Sequence, residues 1–191
     1  MNKDIKEFFD SIAEDYQHEY TTKIDELLDS IDFTYAKRIL DLGSGHGIIS
    51  NKLYERSGAE IVALDISSKM SEIANKLNNN AHVHIINEDF YQYDESGYDI
   101  IVCFDAYPHF MDVDGFVKKA KDLLNINGQL VIIHDIGRII LNEYHANSAG
   151  KVSRLLKKPE EEILPFIPYF SPILLEENDE YYKIILKKIK N

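Results

Sequence analysis

A short apolar run, Lys37-Arg38-Ile39-Leu40-Asp41-Leu42, leads straight into three glycines at alternate positions, Gly43, Gly45 and Gly47, and then into residues of helical period. Few folds accommodate that order. A run so short, bounded by glycine, reads as a buried strand. Glycine reaches backbone conformations closed to other residues and lets the main chain approach a ligand closely. The helix that follows begins with N–H groups that lack intrahelical partners. A dinucleotide fingerprint would read G-x-G-x-x-G, but the position three after Gly45 is Ile48, so that fingerprint fails.

The same strand-then-helix alternation continues along the chain. Glu60 to Asp65, His82 to Ile86, Tyr98 to Phe104 and Gln129 to His134 read as further strands. Between them Met70, Ile73, Ala74 and Leu77 share one helical face. Val113, Phe116, Val117, Ala120, Leu123 and Leu124 share another, and Asn127-Gly128 supplies a turn before the fifth strand. Two helices precede the first strand, one with Ile5, Phe8, Phe9, Ile12 and Tyr16 on a face, the next with Tyr20, Ile24, Leu27, Leu28 and Ile31. Pro172 to Glu176 and Tyr181 to Ile189 are strand-like and joined by a loop short enough for a hairpin. The expected architecture is α/β, a Rossmann-like, doubly wound, mostly parallel seven-stranded sheet with an antiparallel C-terminal hairpin and helices on both faces. At 191 residues the chain is read as one domain, 1–191.

Charge and cysteine usage exclude several classes. The net charge is −12, which counts against a nucleic-acid partner, because phosphate contacts require Lys and Arg. The longest apolar runs are about six residues, against roughly 20 for a membrane-spanning helix. The N-terminal MNKDIKEFFD lacks a signal-peptide core. The single cysteine, Cys103, cannot form an intramolecular disulfide and lies in an apolar run, so it is read as a buried small hydrophobe in a reducing compartment. A cytoplasmic protein, monomer or homodimer, is expected.

Asp41-x-Gly43-x-Gly45-x-Gly47 resembles the first motif of class I S-adenosylmethionine (SAM)-dependent methyltransferases. Asp65, Asp89-Phe90, the strand end Phe104-Asp105-Ala106-Tyr107-Pro108-His109-Phe110, and Leu123-Leu124 with Gly128-Gln129-Leu130 follow in the family's order. Phe8-Phe9-Asp10, Ala13 and Tyr16 are similar to the lead-in helix of its small-molecule branch, the kind seen in quinone methyltransferases. The resemblance implies SAM as cofactor, bound by Asp41, Gly43, Ser44, Gly45, Gly47, Asp65, Ile66, Met70, Asp89, Phe90, Phe104 and Tyr16. It implies an acid at Asp65 for the ribose hydroxyls. Asp89 with Phe90 would serve the adenine amino group and ring face. As purely structural residues, Asp41 and Asp65 are strand-end caps, Asp89 is a helix cap and Tyr16 is core.

The acceptor side is less legible. His109, His134 and His145 follow the fourth and fifth strands and are candidates for a general base or for pocket walls; their spacing matches no metal motif, and no metal is expected. His46 is expected to face solvent or cap its helix, His18 to lie on a lid, and His82 and His84 to be structural or edge positions. Residues 1–32 are read as a helical lid and residues 137–168 as an acceptor-side lid. Asp105-Ala106-Tyr107-Pro108 departs from the Asn-Pro-Pro-Tyr associated with methylation of amide or base nitrogens. The expected function is methyl transfer to an O, N or S atom of a small-molecule acceptor. The alternatives are a non-catalytic SAM-binding protein and a nucleotide-cofactor oxidoreductase.

Overall fold

The structure, a computed structural model, describes residues 2–16, 22–147 and 152–190. The expected lid position of His18, and Tyr20 of the second helix, lie outside the described residues. The remainder forms α1 (Asn2–Ile12), α2 (Thr22–Leu28), β1 (Arg38–Leu42), α3 (Ile48–Ser57), β2 (Glu60–Asp65), α4 (Ser68–Leu77), β3 (Val83–Asn87), β4 (Tyr98–Phe104), a 3₁₀ turn (Tyr107–His109), α5 (Val113–Leu123), β5 (Leu124–His134), α6 (Arg138–Asn147), α7 (Pro159–Glu162), β6 (Phe170–Glu177) and β7 (Tyr182–Lys188).

The strands make one seven-stranded sheet in the order β3-β2-β1-β4-β5-β7-β6. β3, β2, β1, β4 and β5 pair in parallel. β7 runs antiparallel to both β5 and β6, so it alone is reversed. The order turns back between β1 and β4, and an α/β sheet opens a ligand crevice at such a switch point, outside the carboxyl ends of the strands.

Alternate strand residues feed two apolar layers. Leu40, Leu42, Ile101 and Cys103 pack with Phe116, Val117 and Ala120 of α5 and with Phe166, on one face. Ile39, Ile100, Val102 and Phe104 pack with Ile24 and Leu28 of α2 and Leu53 of α3, on the other. Cys103 is fully buried, as expected. No helix among the described residues is long and apolar enough to cross a membrane.

Two local expectations change. Asn127-Gly128 does not precede β5 but lies within it. Asn127 takes a left-handed φ of 67°, and the pairing jumps from Tyr98↔Leu124 to Ile100↔Gln129, so the turn is absorbed as a bulge. Leu77, assigned to the apolar face of α4, is 64% exposed, in the last turn of that helix.

Phe116 on α5 ties the sheet to the loops above it. It is fully buried, with ring centroids 5.3 Å from Phe90, 5.1 Å from Phe110 and 5.1 Å from Tyr107. Phe116→Ala should cost about 3–5 kcal/mol in urea unfolding, and hydrogen exchange should accelerate in the loops that carry Phe90 and Phe110.

Candidate functional site

β1 ends at Leu42, and the chain must turn sharply to start α3. Gly43 takes φ 74° and Gly45 φ 52°. A Cβ on Gly43 would stand 2.5 Å from the Ala106 Cβ, so this glycine allows the loop to press against the turn after β4. A Cβ on Gly45 would meet nothing within 4 Å; that position borders open space. The loop is anchored to β2. Gly43 N–H and Ser44 N–H donate to Leu64 O at 2.8 and 3.2 Å. Asp65 accepts from Gly45 N–H at 2.8 Å through Oδ2 and from Ser67 N–H at 2.7 Å through Oδ1.

These bonds shape a cavity at the carboxyl ends of β1, β2 and β4, enclosing about 1000 Å³ of empty space with its mouth included. Its wall contains eleven of the twelve residues named for the cofactor: Asp41, Gly43, Ser44, Gly45, Asp65, Ile66, Met70, Asp89, Phe90, Phe104 and Tyr16. Gly47 is the exception. It takes φ 79° as the N-cap of α3, and the space above it faces Ala74 and Ile85, so it shapes the helix start without lining the cavity.

Five carboxylates line the cavity, those of Asp41, Asp65, Glu88, Asp89 and Asp105, while no Lys or Arg does so among the described residues. Burial raises the Asp41 pKa to about 7, even though Ser50 Oγ donates to its carboxylate at 2.5 Å. Burial likewise raises Asp65, against the two N–H bonds it accepts. Ser44 Oγ is buried in the wall with no hydrogen-bond partner among the described residues. A buried hydroxyl is costly to leave unpaired, so a polar ligand atom is the natural complement of this one.

The N-terminal helix supplies wall residues that the sequence placed on one helical face but did not assign to the cofactor. Ile5 and Phe9 of α1 line the cavity. Asp10 docks the helix, accepting from Ser67 Oγ at 2.7 Å and Lys69 N–H at 3.1 Å while pairing with Lys6. The pairing of Phe8-Phe9 with Asp10 in the sequence was the available signal. His46 neither faces solvent nor caps α3. It lines the cavity, its Nε2 lies 3.0 Å from Ala13 O, and its ring meets Tyr16 edge-on at 5.8 Å. His82 and His84 sit on the edge side of the sheet, both against Glu60.

Of the three histidines named for the acceptor side, only His109 lines the cavity. Its Nδ1 is 2.8 Å from Val152 O. A carbonyl oxygen only accepts, so Nδ1 carries the proton and Nε2 keeps a lone pair. Burial lowers the His109 pKa to about 4, with the Val152 bond opposing and His145 and His134 assisting. The ring packs edge-on to Phe9 at 4.8 Å and to His145 at 5.3 Å. His145 is therefore a neighbour of His109 and not a wall residue. His134 is also set back. It is 1% exposed, with Nδ1 3.4 Å from Asp105 Oδ1, behind the strand end. Among the described residues no three His, Cys, Asp or Glu are placed to hold a metal ion. No residue from 137 to 168 lines the cavity among those described; the segment reaches it through His145 and Val152.

Comparison with known proteins supplies the family and supports the fold. Residues 12–168 match the methyltransferase domain family. The ubiquinone biosynthesis O-methyltransferase of Pelagibacter ubique is 31% identical over 101 residues, a match that covers 50% of this chain and 40% of that protein. The magnesium protoporphyrin IX methyltransferase of Synechocystis, solved with bound S-adenosylhomocysteine (SAH), superposes with a TM-score of 0.71 at 17% identity, covering 100% of this chain and 99% of the other. Human N-acetylserotonin methyltransferase, solved with SAM, gives 0.74 at 13% identity, covering 100% of this chain and 57% of that one. A glycine loop at the switch point, a strand-two acid beneath it and a family match across most of the chain lead to one assignment: the chain belongs to the class I SAM-dependent methyltransferases.

Proposed function

We propose that the protein binds SAM in this cavity and transfers its methyl group to a small-molecule acceptor. The observation that carries the reading is the acceptor-rich, cation-free wall around Gly43 to Gly45, with the buried and unpartnered Ser44 hydroxyl in it. SAM carries amino groups, ribose hydroxyls and a sulfonium but no phosphate, so it calls for hydrogen-bond acceptors where a dinucleotide would call for a phosphate cradle. Asp65 is assigned to the ribose hydroxyls, and Asp89 with Phe90 to the adenine amino group and ring face. Asp41, Ser44 and the glycine loop are assigned to the methionine end. Ile66, Met70, Phe104 and Tyr16 supply apolar contact. The bound donor contributes a methyl group already activated by the positive sulfur, which leaves orientation and water exclusion to the protein.

On the acceptor side, His109 is the named histidine in the cavity wall and the one assigned to receive a proton, with burial making it a weaker base than free imidazole. It is neutral at physiological pH, and the Val152 carbonyl holds its tautomer so that Nε2 is the basic atom. His134 and His145 are assigned to positioning and not to contact with the acceptor. Residues 1–32 act as the cofactor-side lid, supported by the wall positions of Ile5, Phe9 and Tyr16. Residues 137–168 brace the acceptor end. A cytoplasmic location stays part of the reading, supported by the lone buried thiol of Cys103.

Isothermal titration with SAM, SAH and NAD tests the cofactor assignment. SAM and SAH should bind and NAD should not; binding of NAD alone would refute the proposal. Asp65→Ala should weaken SAM binding by about 1.5–3 kcal/mol, the value of hydrogen bonds to a charged acceptor. Gly45→Val should abolish binding by filling the open space above the loop, and thermal unfolding of the variant shows whether it still folds.

The His109 assignment has a stability signature. Unfolded, this imidazole titrates near 6.5, and folded near 4. Between those values the unfolded chain binds the extra proton, so the His109 contribution is complete above pH 6.5 and is lost as pH falls towards 4. The raised Asp41 carboxyl acts with opposite sign, its contribution falling as pH rises from 3.8 to about 7. The readout is therefore the difference between wild type and His109→Asn, whose side-chain amide retains a donor for Val152 O. That difference should shrink by about 2–3 kcal/mol as pH drops from 7 to 4. A difference independent of pH would show that His109 is not buried in its neutral form.

A further inference from the structure

The charge and shape of the cavity select among acceptors, on the assumption that the methyltransferase reading holds. We propose that the acceptor's reactive atom is an uncharged nitrogen of an aromatic or heteroaromatic amine, and that Asp105 holds the cation formed when that nitrogen is methylated.

Three observations converge on this. First, the wall pairs carboxylates with aromatic rings and has no Lys or Arg among the described residues. Four of the acids, Asp41, Asp65, Glu88 and Asp89, flank the glycine loop or follow β1 to β3, where the donor is assigned. Asp105 is the one acid of the wall carried by the turn after β4, the turn whose Ala106 meets Gly43 of the loop. Second, Asp105 is held rigidly at that turn. It takes the left-handed φ of 52°, which a residue other than glycine adopts at some cost, and its Oδ1 accepts from Asp135 N–H at 3.0 Å. A strained carboxylate anchored on that turn places a fixed negative charge in the cavity wall. Third, Phe9 and Phe110, neither of them assigned to the donor, line the same cavity, and aromatic faces with a carboxylate form the surround that suits alkylated ammonium groups.

Tyr16 shows what this surround does to a phenol. Burial, then the charges of Asp105, Asp135 and Asp65, raise its pKa to about 12. An acceptor phenol in the same field meets the same resistance to ionisation, and no cation of the wall offsets it. A neutral nitrogen meets none. Its lone pair attacks the methyl carbon, the carbon–sulfur bond breaks with its electron pair left on sulfur, and the single positive charge moves from sulfur to nitrogen. No proton has to leave first. Where the nitrogen carries a hydrogen, that proton departs afterwards to Nε2 of His109 or to water. The product cation then lies against Asp105.

The test uses phenyltrimethylammonium as a mimic of the product cation and benzoate as its anionic counterpart, each titrated into SAH-saturated protein. The cation should bind at least tenfold more tightly than benzoate. Asp105→Asn should lose about tenfold in affinity for the cation, since asparagine tolerates the same backbone conformation and keeps an oxygen for Asp135 N–H. The SAH affinity of that variant, read in the same titration, reports whether the pocket is intact. Benzoate binding as tightly as the cation, or a cation affinity unchanged by Asp105→Asn, would overturn the proposal. Failure of SAH itself to bind would instead overturn the methyltransferase reading beneath it. SAH release measured across matched anilines, imidazoles and phenols gives a second readout, in which turnover of phenols with the nitrogen acceptors inert would also reject the proposal.

Discussion

The cavity depends on one buried carboxylate. Asp65 ends β2 with a different backbone N–H on each oxygen, from Gly45 and from Ser67. The first bond pulls the glycine loop over the strand ends, and the second fixes the entry to α4. Bonds to a charged acceptor are worth roughly 1.5–3 kcal/mol each, enough to hold a loop whose glycines would otherwise disorder it. No cation of the wall balances Asp65 or Asp41, and burial raises both pKa values. A fold that keeps two acids in this condition sacrifices stability at the site, and a ligand with donors and a positive charge recovers it. The same acids disfavour a multiply charged phosphate, which is why three glycines before a helix need not indicate a phosphate site.

Most of the sheet was legible because each parallel strand is a short apolar run with a glycine or an acid at its end, and because the helical faces between them have the right period. Much of the cavity wall was legible for the same reason. Most of the residues named from the sequence that line it end β1, β2 and β4 or begin the loops after β1 to β3, so position along the chain reports position in space; Tyr16 and Met70 come from the helices. What escaped is non-local. His109 owes its tautomer to Val152, 43 residues away in sequence. His46 owes its place to Ala13 at the end of α1. His134 and His145 follow the strands expected to face the acceptor, yet one ring turns behind Asp105 and the other packs on the far side of His109. Periodicity assigns a residue to a face of its own helix or strand; it does not say which side chain of a third element arrives there first. Gly47 shows the opposite limit: its spacing matched the motif, but its task is to cap α3.

The docking of α1 connects these themes. α4 begins with a helix terminus that needs acceptors, and Ser67 supplies one through its hydroxyl, 3.1 Å from Met70 N–H. Asp10 supplies another from a different helix, accepting from Lys69 N–H, and also takes the Ser67 hydroxyl proton. Because Ser67 N–H is bound to Asp65, one serine joins the lid helix to the acid beneath the glycine loop. Burial works against the Asp10 charge, but the bonds from Lys6, Ser67 and Lys69 hold its pKa to about 2. A carboxylate depressed in this way contributes stability that is complete above 3.8 and is lost only as pH falls through about 2. The attachment of α1 is therefore insensitive to pH across the physiological range, whereas Asp41 and His109, both in the cavity wall, titrate at about 7 and about 4. Mild acidification therefore removes a negative charge at Asp41 from the cavity wall, while Asp10 keeps α1 attached.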